Sequence, residues 1–131
     1  QIEKFLPPLE TLVDHNRPVH LIHSDLTRDH LLGQVVEGRW QTLGLIDFGD
    51  AMTGDLLYEL AALHLDLFRG DRRLLSTFLA AYGLNPAERS GLARKALATA
   101  LLHQFNVFGG LPPEMLQVKT LEALAETLWG E

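Results

Sequence analysis

The 131-residue sequence contains no cysteine, which excludes disulfides, thiolate metal sites and cysteine nucleophiles. Lysine and arginine are also few, 11 against 17 aspartates and glutamates, so the formal net charge is -6. Because binding to a nucleic-acid backbone needs clustered basic side chains, no nucleic-acid partner is expected. The acidic balance is compatible with a cationic small molecule as a partner.

Long apolar runs are absent as well. No stretch reaches the roughly 18 apolar residues of a membrane span, and the N-terminus lacks the basic-then-apolar pattern of a signal peptide. The sequence therefore predicts a cytoplasmic protein with no membrane partner. A hydrophobic fraction of 47% and a charged fraction of 21% are typical of a globular chain, and residues 1–131 are predicted to form a single domain.

The first part of the sequence predicts a lead-in helix and short strands. The helix opens at Pro8 and is stopped by Pro18. Strands are predicted at 19–23, 30–36 and 40–48, which together would make a small three-stranded piece. The last two are joined by a short turn containing glycine, which indicates an antiparallel hairpin.

Apolar residues recur with a helical period from Asp55 onward. Asp55 is the predicted N-cap of the first helix, which places Leu56, Leu60, Leu63 and Leu67 on one face. Further helices are predicted at 72–83, 85–108 and 119–130, with Gly83 as a C-cap and Asn85 as a start. The predicted fold class is α+β, mainly helical with a small antiparallel β-hairpin.

The stretch HLIHSDLTRDHLLG at 20–33 brings His23, Asp25 and His30 close together in sequence. A second stretch, LGLIDFGDAMTGD at 43–55, places Asp47 at the end of a predicted strand. Since the hairpin strands are antiparallel, the start of one lies near the end of the other. We therefore expect His30 and Asp47 to be neighbours, with Asp25 a short loop away.

Two carboxylates and an imidazole at one loop edge can bind a divalent cation, act as a general base, or do both. Phosphoryl transfer uses both, because the metal bridges nucleotide phosphates while a separate carboxylate accepts the proton of the attacking hydroxyl. The alternative is that Asp25 and Asp47 are turn carboxylates that only accept hydrogen bonds from backbone amides. For His30 two interpretations are kept, a metal ligand and a structural residue.

The motifs resemble those of the aminoglycoside phosphotransferase-like family of small-molecule kinases, which includes choline, homoserine and macrolide kinases. That family shows HxDxxxxN, IDxxxA and GDPxxDLA in this order. This chain reads HSDLTRDH at 23–30, IDFGDA at 46–51 and GDLLYELA at 54–61. The resemblance covers residues 18–65, and the helical tail is consistent with the C-terminal lobe of such a kinase.

The resemblance implies a lobe that transfers phosphate from ATP, with Mg²⁺, to a hydroxyl of a small molecule. By matched position, Asp25 is the catalytic base, and His23 braces the same catalytic loop. Asp47 takes the place of the aspartate that holds Mg²⁺ against the ATP phosphates. In the third motif, Asp55 is expected to cap the helix and tie down the loop, and Glu59 replaces the family aspartate.

Two features depart from the family pattern. His30 stands where the family usually has an asparagine as second metal ligand, and it is kept here as a candidate ligand although Mg²⁺ prefers oxygen. Only 24 residues precede Asp25, with one lysine, Lys4, and no Gly-rich loop. The chain is therefore expected to be the C-terminal lobe of a longer protein, inactive alone, or else one part of a split or degenerate kinase. Its exposed face would contact the missing nucleotide lobe or a second copy.

Two other classes of function are consistent with the same residues. A non-catalytic kinase-like binding or scaffolding module is favoured by His30 and by the missing lobe. A metal-dependent phosphohydrolase is suggested by Asp29-His30, but such sites usually draw their ligands from several helices.

The remaining polar candidates are interpreted structurally. His15 is expected to be exposed, and His20 to pack within a strand. His64 and His103 are expected on apolar helices as core or helix-face residues. Asp66 is interpreted either as a residue that attracts a cationic substrate or as part of a solvated face.

Overall fold

The computed structural model describes residues 2–13, 15–16, 18–84 and 86–130, without the side chains of residues 86 and 87. Short antiparallel strand pairs precede a group of packed helices, so the predicted α+β class is confirmed. Asn85, the predicted start of the third helix, lies outside the described residues.

The strands of the described residues form two separate two-stranded sheets, not one three-stranded piece as predicted. Strands β1 (His20–Ile22) and β4 (Met52–Gly54) are antiparallel partners, and so are β2 (Leu31–Val36) and β3 (Arg39–Leu45). The predicted hairpin is confirmed, whereas β4 was not predicted.

The hairpin turn fits the handedness of its strands. Glu37 and Gly38 both have positive φ, 50° and 76°, and they connect the paired residues Val36 and Arg39. Two successive positive φ values are those of a type I′ turn, whose twist matches that of a tight hairpin. The strand β3 ends earlier than predicted, at Leu45, because the backbone turns left-handed two residues later.

The helical part surrounds the core. The α-helices are α1 (Ile2–Phe5), α2 (Leu9–Leu12), α3 (Leu56–Ala62), α4 (Arg72–Tyr82), α5 (Pro86–Arg89), α6 (Leu92–Leu101) and α7 (Leu121–Trp129). A π-helical turn, Leu63–Leu67, continues α3. Short 3₁₀ turns occur at Arg28–His30, Phe48–Asp50, Val107–Gly110 and Pro113–Leu116.

The predicted helix ends are confirmed for two helices. Asp55 caps α3, since its carboxylate accepts the Leu57 N–H at 2.7 Å. Gly83, with φ 95°, ends α4 in the left-handed conformation that glycine adopts without a Cβ clash.

The predicted single helix at 85–108 is wrong. It divides into α5 and α6 at Gly91, whose φ of 72° is incompatible with a continuous helix. The helix α6 then ends at Leu101, so His103 lies in the segment that follows and not on a helix.

The core lies between α3, the π-turn, α6 and α7, where leucines and alanines are fully buried. His64 is buried there as predicted, with its Nε2 2.7 Å from the Leu128 carbonyl and its ring 4.4 Å from that of Trp129. His15 is exposed as predicted. His20 is exposed too, contrary to prediction, because the two-stranded sheet leaves its side uncovered.

No helix among the described residues is long and apolar enough to cross a membrane.

Candidate active site

Sheet pairing brings the two motif loops together. The first loop leaves the end of β1, and the second enters β4, where Ile22 pairs with Met52. The hairpin adds a further link, since the Ile46 N–H donates to the His30 carbonyl at 3.0 Å. The three candidate groups, Asp25, His30 and Asp47, therefore meet at one edge of the molecule.

His30 lies between the two carboxylates. Its Nδ1 is 2.7 Å from the backbone carbonyl of Asp25 and 3.8 Å from the Asp25 Oδ2. Its Nε2 is 3.5 Å from the Asp47 Oδ2. A carbonyl only accepts, so Nδ1 carries the hydrogen in the neutral ring and Nε2 presents its lone pair toward Asp47. His30 and Asp47 are neighbours, as the antiparallel hairpin predicts.

Asp47 has an unusual backbone for a residue with a side chain. Its φ of 62° and ψ of 59° are left-handed, a conformation that costs of order 1–3 kcal/mol and persists where the surroundings hold it. The turn leaves its carboxylate 64% exposed, whereas that of Asp25 is 24% exposed. Asp47 is thus open to a ligand from solution, while Asp25 is partly enclosed by protein.

His23 ties the two loops to each other. It is buried, and its Nε2–H donates to the Ile46 carbonyl at 2.7 Å. Its ring stacks near that of His30, with centroids 5.6 Å apart, and contacts the Phe48 ring at 4.6 Å. His23 is therefore placed to hold the loop rather than to meet a substrate.

Ser24 is a site residue that sequence reasoning missed. It is fully buried with φ 66°, its N–H donates to the Glu59 carboxylate at 2.8 Å, and its hydroxyl donates to the Asp50 carbonyl at 2.6 Å. Glu59, on α3, is buried as well. Glu59, a residue of the third motif, thus contacts the first loop at the residue just before Asp25. In the sequence, Ser24 lies between the motif residues His23 and Asp25, and that position was the signal that could have identified it.

Asp66 also anchors the loop. Its carboxylate accepts the Arg28 backbone N–H at 3.0 Å and lies 4.0 Å from the Arg28 Nε. The π-turn brings Asp66 to this position, against Gly110. Asp66 was predicted either to attract a substrate or to lie on a solvated face, and instead it binds the chain between Asp25 and His30.

His103 packs against α3. It is buried, its ring stacks on that of Tyr58 with centroids 4.1 Å apart, and its Nδ1 accepts the Phe105 N–H at 3.2 Å. Desolvation by burial lowers the pKa of His103. His103 is buried, one of the two positions expected for it, but it follows α6 and does not lie on a helix as predicted.

Comparison with known proteins identifies the family. Residues 1–97 match the phosphotransferase enzyme family. The chain belongs to this family. The earlier resemblance to aminoglycoside phosphotransferase-like kinases is thereby confirmed.

The chain also resembles part of a much longer plant protein. It is 28% identical, over 145 aligned residues, to "Lysine-specific demethylase JMJ21" of Arabidopsis thaliana. The alignment covers 88% of this chain and 15% of that protein.

The Mg²⁺ that the family implies can be tested against the donor atoms present. Among the described residues, no three His, Cys, Asp or Glu side chains group into a metal cluster. Mg²⁺ keeps several waters and binds through one or two carboxylates plus substrate phosphates, so its fit depends on the individual oxygen donors. Asp47 supplies an exposed carboxylate, and the Nε2 of His30 lies close enough to share one cation with it. The donor set fits a phosphate-bound metal.

Proposed function

We propose that this phosphotransferase-family chain is the catalytic lobe of an ATP-dependent kinase acting on a hydroxyl of a small molecule. Asp25 is the general base that orients the hydroxyl and accepts its proton. Asp47, with His30, holds Mg²⁺, and the metal, when bound, neutralises charge on the ATP phosphates. His23 holds the loop, while Asp55 and Glu59 support it from α3.

The arrangement of His30 carries this proposal. Its Nδ1–H is engaged by the Asp25 carbonyl at 2.7 Å, so that Nε2 is directed toward the Asp47 carboxylate at 3.5 Å. A hydrogen bond of this kind fixes the tautomer of a metal-binding histidine and orients its ring. The same hydrogen bond links His30, a proposed metal ligand, to the backbone of Asp25, the proposed general base.

The proposed acceptor is a small molecule, and the net charge of -6 favours a cationic one. A cytoplasmic location is part of the proposal because the reaction consumes ATP. The hairpin presents a group of exposed apolar side chains, among them Val35, Trp40 and Leu43. Exposed apolar side chains of this kind favour a partner that covers them, and in a two-lobed kinase that partner is the nucleotide lobe.

Calorimetric titration of Mg²⁺-ATP into the chain tests the metal side of the site. We expect binding that requires Mg²⁺ and is lost in Asp47→Ala, because that variant removes the exposed carboxylate ligand. Asp29→Ala is the matched control, since Asp29 is an exposed carboxylate of the neighbouring first loop. Equal binding by wild type and Asp47→Ala would contradict the metal assignment.

Transfer from labelled ATP to a panel of aminoglycosides, macrolides, choline and homoserine tests the base in the full-length gene product. Asp25→Asn is expected to lower turnover by about 10²- to 10⁴-fold, the usual contribution of a general base. Circular dichroism would verify that the variant is folded. Normal turnover by folded Asp25→Asn would show that Asp25 is not the base.

A binding or scaffolding module is the second candidate. It is favoured by His30 in place of the family asparagine. It is also favoured by the plant relative, in which the similar segment is 15% of a protein named for another activity. A folded chain that shows no Mg²⁺-dependent ATP binding, within a full-length protein that transfers no phosphate, would favour the module over the kinase.

A further inference from the structure

We propose that a cavity lined by three arginines, on α4 and α5, binds a small molecule that carries a phosphate group on an apolar body. The cavity has a volume of about 510 Å³ and is bounded by residues of α4, α5 and α6 and by the end of α7. Small-molecule sites typically have volumes of roughly 300–1,000 Å³. The described residues that line the cavity all differ from those of the candidate active site, so the proposal concerns a second, separate site.

The charge of this cavity is opposite to that of the chain. Arg72 and Arg73 lie in the first turn of α4, and Arg89 is the last residue of α5. The formal net charge is -6, and the sequence has only 11 lysines and arginines, yet three of them line one cavity. No aspartate or glutamate occurs among the described residues of the lining. A concave surface with positive charge of this kind attracts an anion.

Backbone carbonyls hold two of the guanidinium groups without neutralising them. The Arg89 Nε and Nη2 both donate to the Leu84 carbonyl, at 3.2 and 3.0 Å. The Arg72 Nη1 donates to the Glu126 carbonyl at 3.3 Å. A carbonyl carries no net charge, and a guanidinium has five N–H donors, so these bonds leave both the positive charge and further donors for a ligand. Because the two side chains are already held, they lose less conformational entropy on binding.

Two carboxylates lie near the arginines, and neither lines the cavity. The Asp71 Oδ1 accepts the N–H groups of Arg73 and Leu74, at 2.8 and 3.2 Å, and thereby caps α4. The Glu126 carboxylate lies beside Gly130, at the end of α7. The positive charge of the three arginines therefore exceeds the negative charge of these two neighbours, and an anionic ligand would compensate the excess.

The apolar part of the wall defines the rest of the ligand. Leu75, Leu79 and Trp129 line the cavity and are otherwise buried, at 4%, 3% and 3% exposure. An apolar body covers such a surface, whereas an inorganic ion does not. The planar guanidinium matches phosphate oxygens, and a phosphate monoester carries about -1.5 to -2 charge with three acceptor oxygens. The ligand class is therefore a phosphate monoester of an apolar or aromatic small molecule.

NMR titration of the whole chain tests the site, because Trp129 lies in its wall and carries an indole N–H signal. The other tryptophan, Trp40, is on β3, so Trp40→Phe identifies the Trp129 signal. The probes are phenyl phosphate, inorganic phosphate, phenol and benzoate, all without Mg²⁺. Phenyl phosphate is expected to shift the Trp129 signal saturably and to bind about tenfold more tightly than each of the others, since it alone combines a phosphate with an apolar ring.

The other outcomes of this titration overturn the proposal. Equal affinity for phenol would show an apolar cavity without an anion site, and equal affinity for benzoate would show that phosphate is not preferred. No saturable shift with phenyl phosphate would show that the cavity binds no such ligand. None of these outcomes depends on phosphate transfer, so failure here leaves the proposed kinase function untouched.

Arg73→Gln tests the role of the arginines. Arg73 is exposed, so the variant is expected to stay folded, which circular dichroism verifies. Loss of one charged donor should weaken phenyl phosphate binding by about tenfold. Arg39→Gln is the matched control, because it removes the same charge from an exposed arginine on β3, and it should bind as wild type does. Equal weakening by both variants, or none by Arg73→Gln, would refute a site built on these arginines.

Discussion

At the scale of single residues, the site depends on a buried serine held in a left-handed conformation. Ser24 has φ 66°, and its N–H and hydroxyl are satisfied by Glu59 and by the Asp50 carbonyl. These hydrogen bonds offset the backbone strain, which is of order 1–3 kcal/mol. The residue that follows is Asp25, so this local conformation fixes where the proposed base begins.

Glu59→Ala tests this support. Removing the carboxylate leaves the buried Ser24 N–H without its acceptor, which is expected to lower the free energy of unfolding by about 1–3 kcal/mol. Urea unfolding followed by circular dichroism measures the change. Glu114→Ala, at an exposed glutamate, is the control and should stay within about 0.5 kcal/mol of wild type. Equal stability of both variants would show that Glu59 does not hold the loop.

At the scale of elements, the π-turn and the 3₁₀ turn Val107–Gly110 pack closely. The extra residue of the π-turn carries Asp66 to the Arg28 N–H, and Gly110 allows the approach. A Cβ built on Gly110 would lie 2.8 Å from the Asp66 Cα and 3.0 Å from the Leu65 carbonyl oxygen. Both are backbone atoms, which cannot move aside cheaply.

Gly110→Ala is therefore expected to destabilise the protein by about 1–3 kcal/mol, the usual cost of overpacking. It should also displace Asp66 and loosen the loop that carries Arg28. Gly109→Ala is the matched control, because a Cβ there meets only the Asn106 Nδ2, at 3.9 Å. Thermal unfolding of both variants gives the comparison. A Gly110→Ala protein as stable as Gly109→Ala would contradict the close packing.

At the scale of the whole molecule, burial of histidines links stability to pH. Desolvation lowers the pKa of His64 and of His103 below the ordinary value of 6.5, despite opposing backbone hydrogen bonds. The unfolded chain therefore takes up protons that the folded chain does not, once the pH falls below 6.5. The contribution of these two neutral histidines to the free energy of unfolding is complete above pH 6.5. It is lost as the pH falls toward their lowered pKa values.

We accordingly expect the free energy of unfolding to decrease between pH 7 and pH 5. His64→Gln should decrease less over that range, because glutamine does not titrate and its amide can still donate to the Leu128 carbonyl. Urea unfolding at several pH values measures both curves. Parallel curves for wild type and His64→Gln would show that His64 does not contribute to the pH dependence.

The sequence by itself determined the family, the α+β class, the hairpin and the neighbourhood of His30 and Asp47. Each follows from local information: motif spacing, a two-residue turn, and the geometry of an antiparallel pair. Asp55 and Gly83 were predictable for the same reason, since helix ends are set by side chains within a few residues.

Only the tertiary structure decided what surrounds the loop. Glu59 and Asp66 lie 35 or more residues from their partners in the first motif, and local patterns carry no information about such contacts. The pairing of β1 with β4, the π-turn and the break at Gly91 likewise depend on how the helices pack. The sequence names the reacting groups, whereas packing between distant elements sets their orientation and burial.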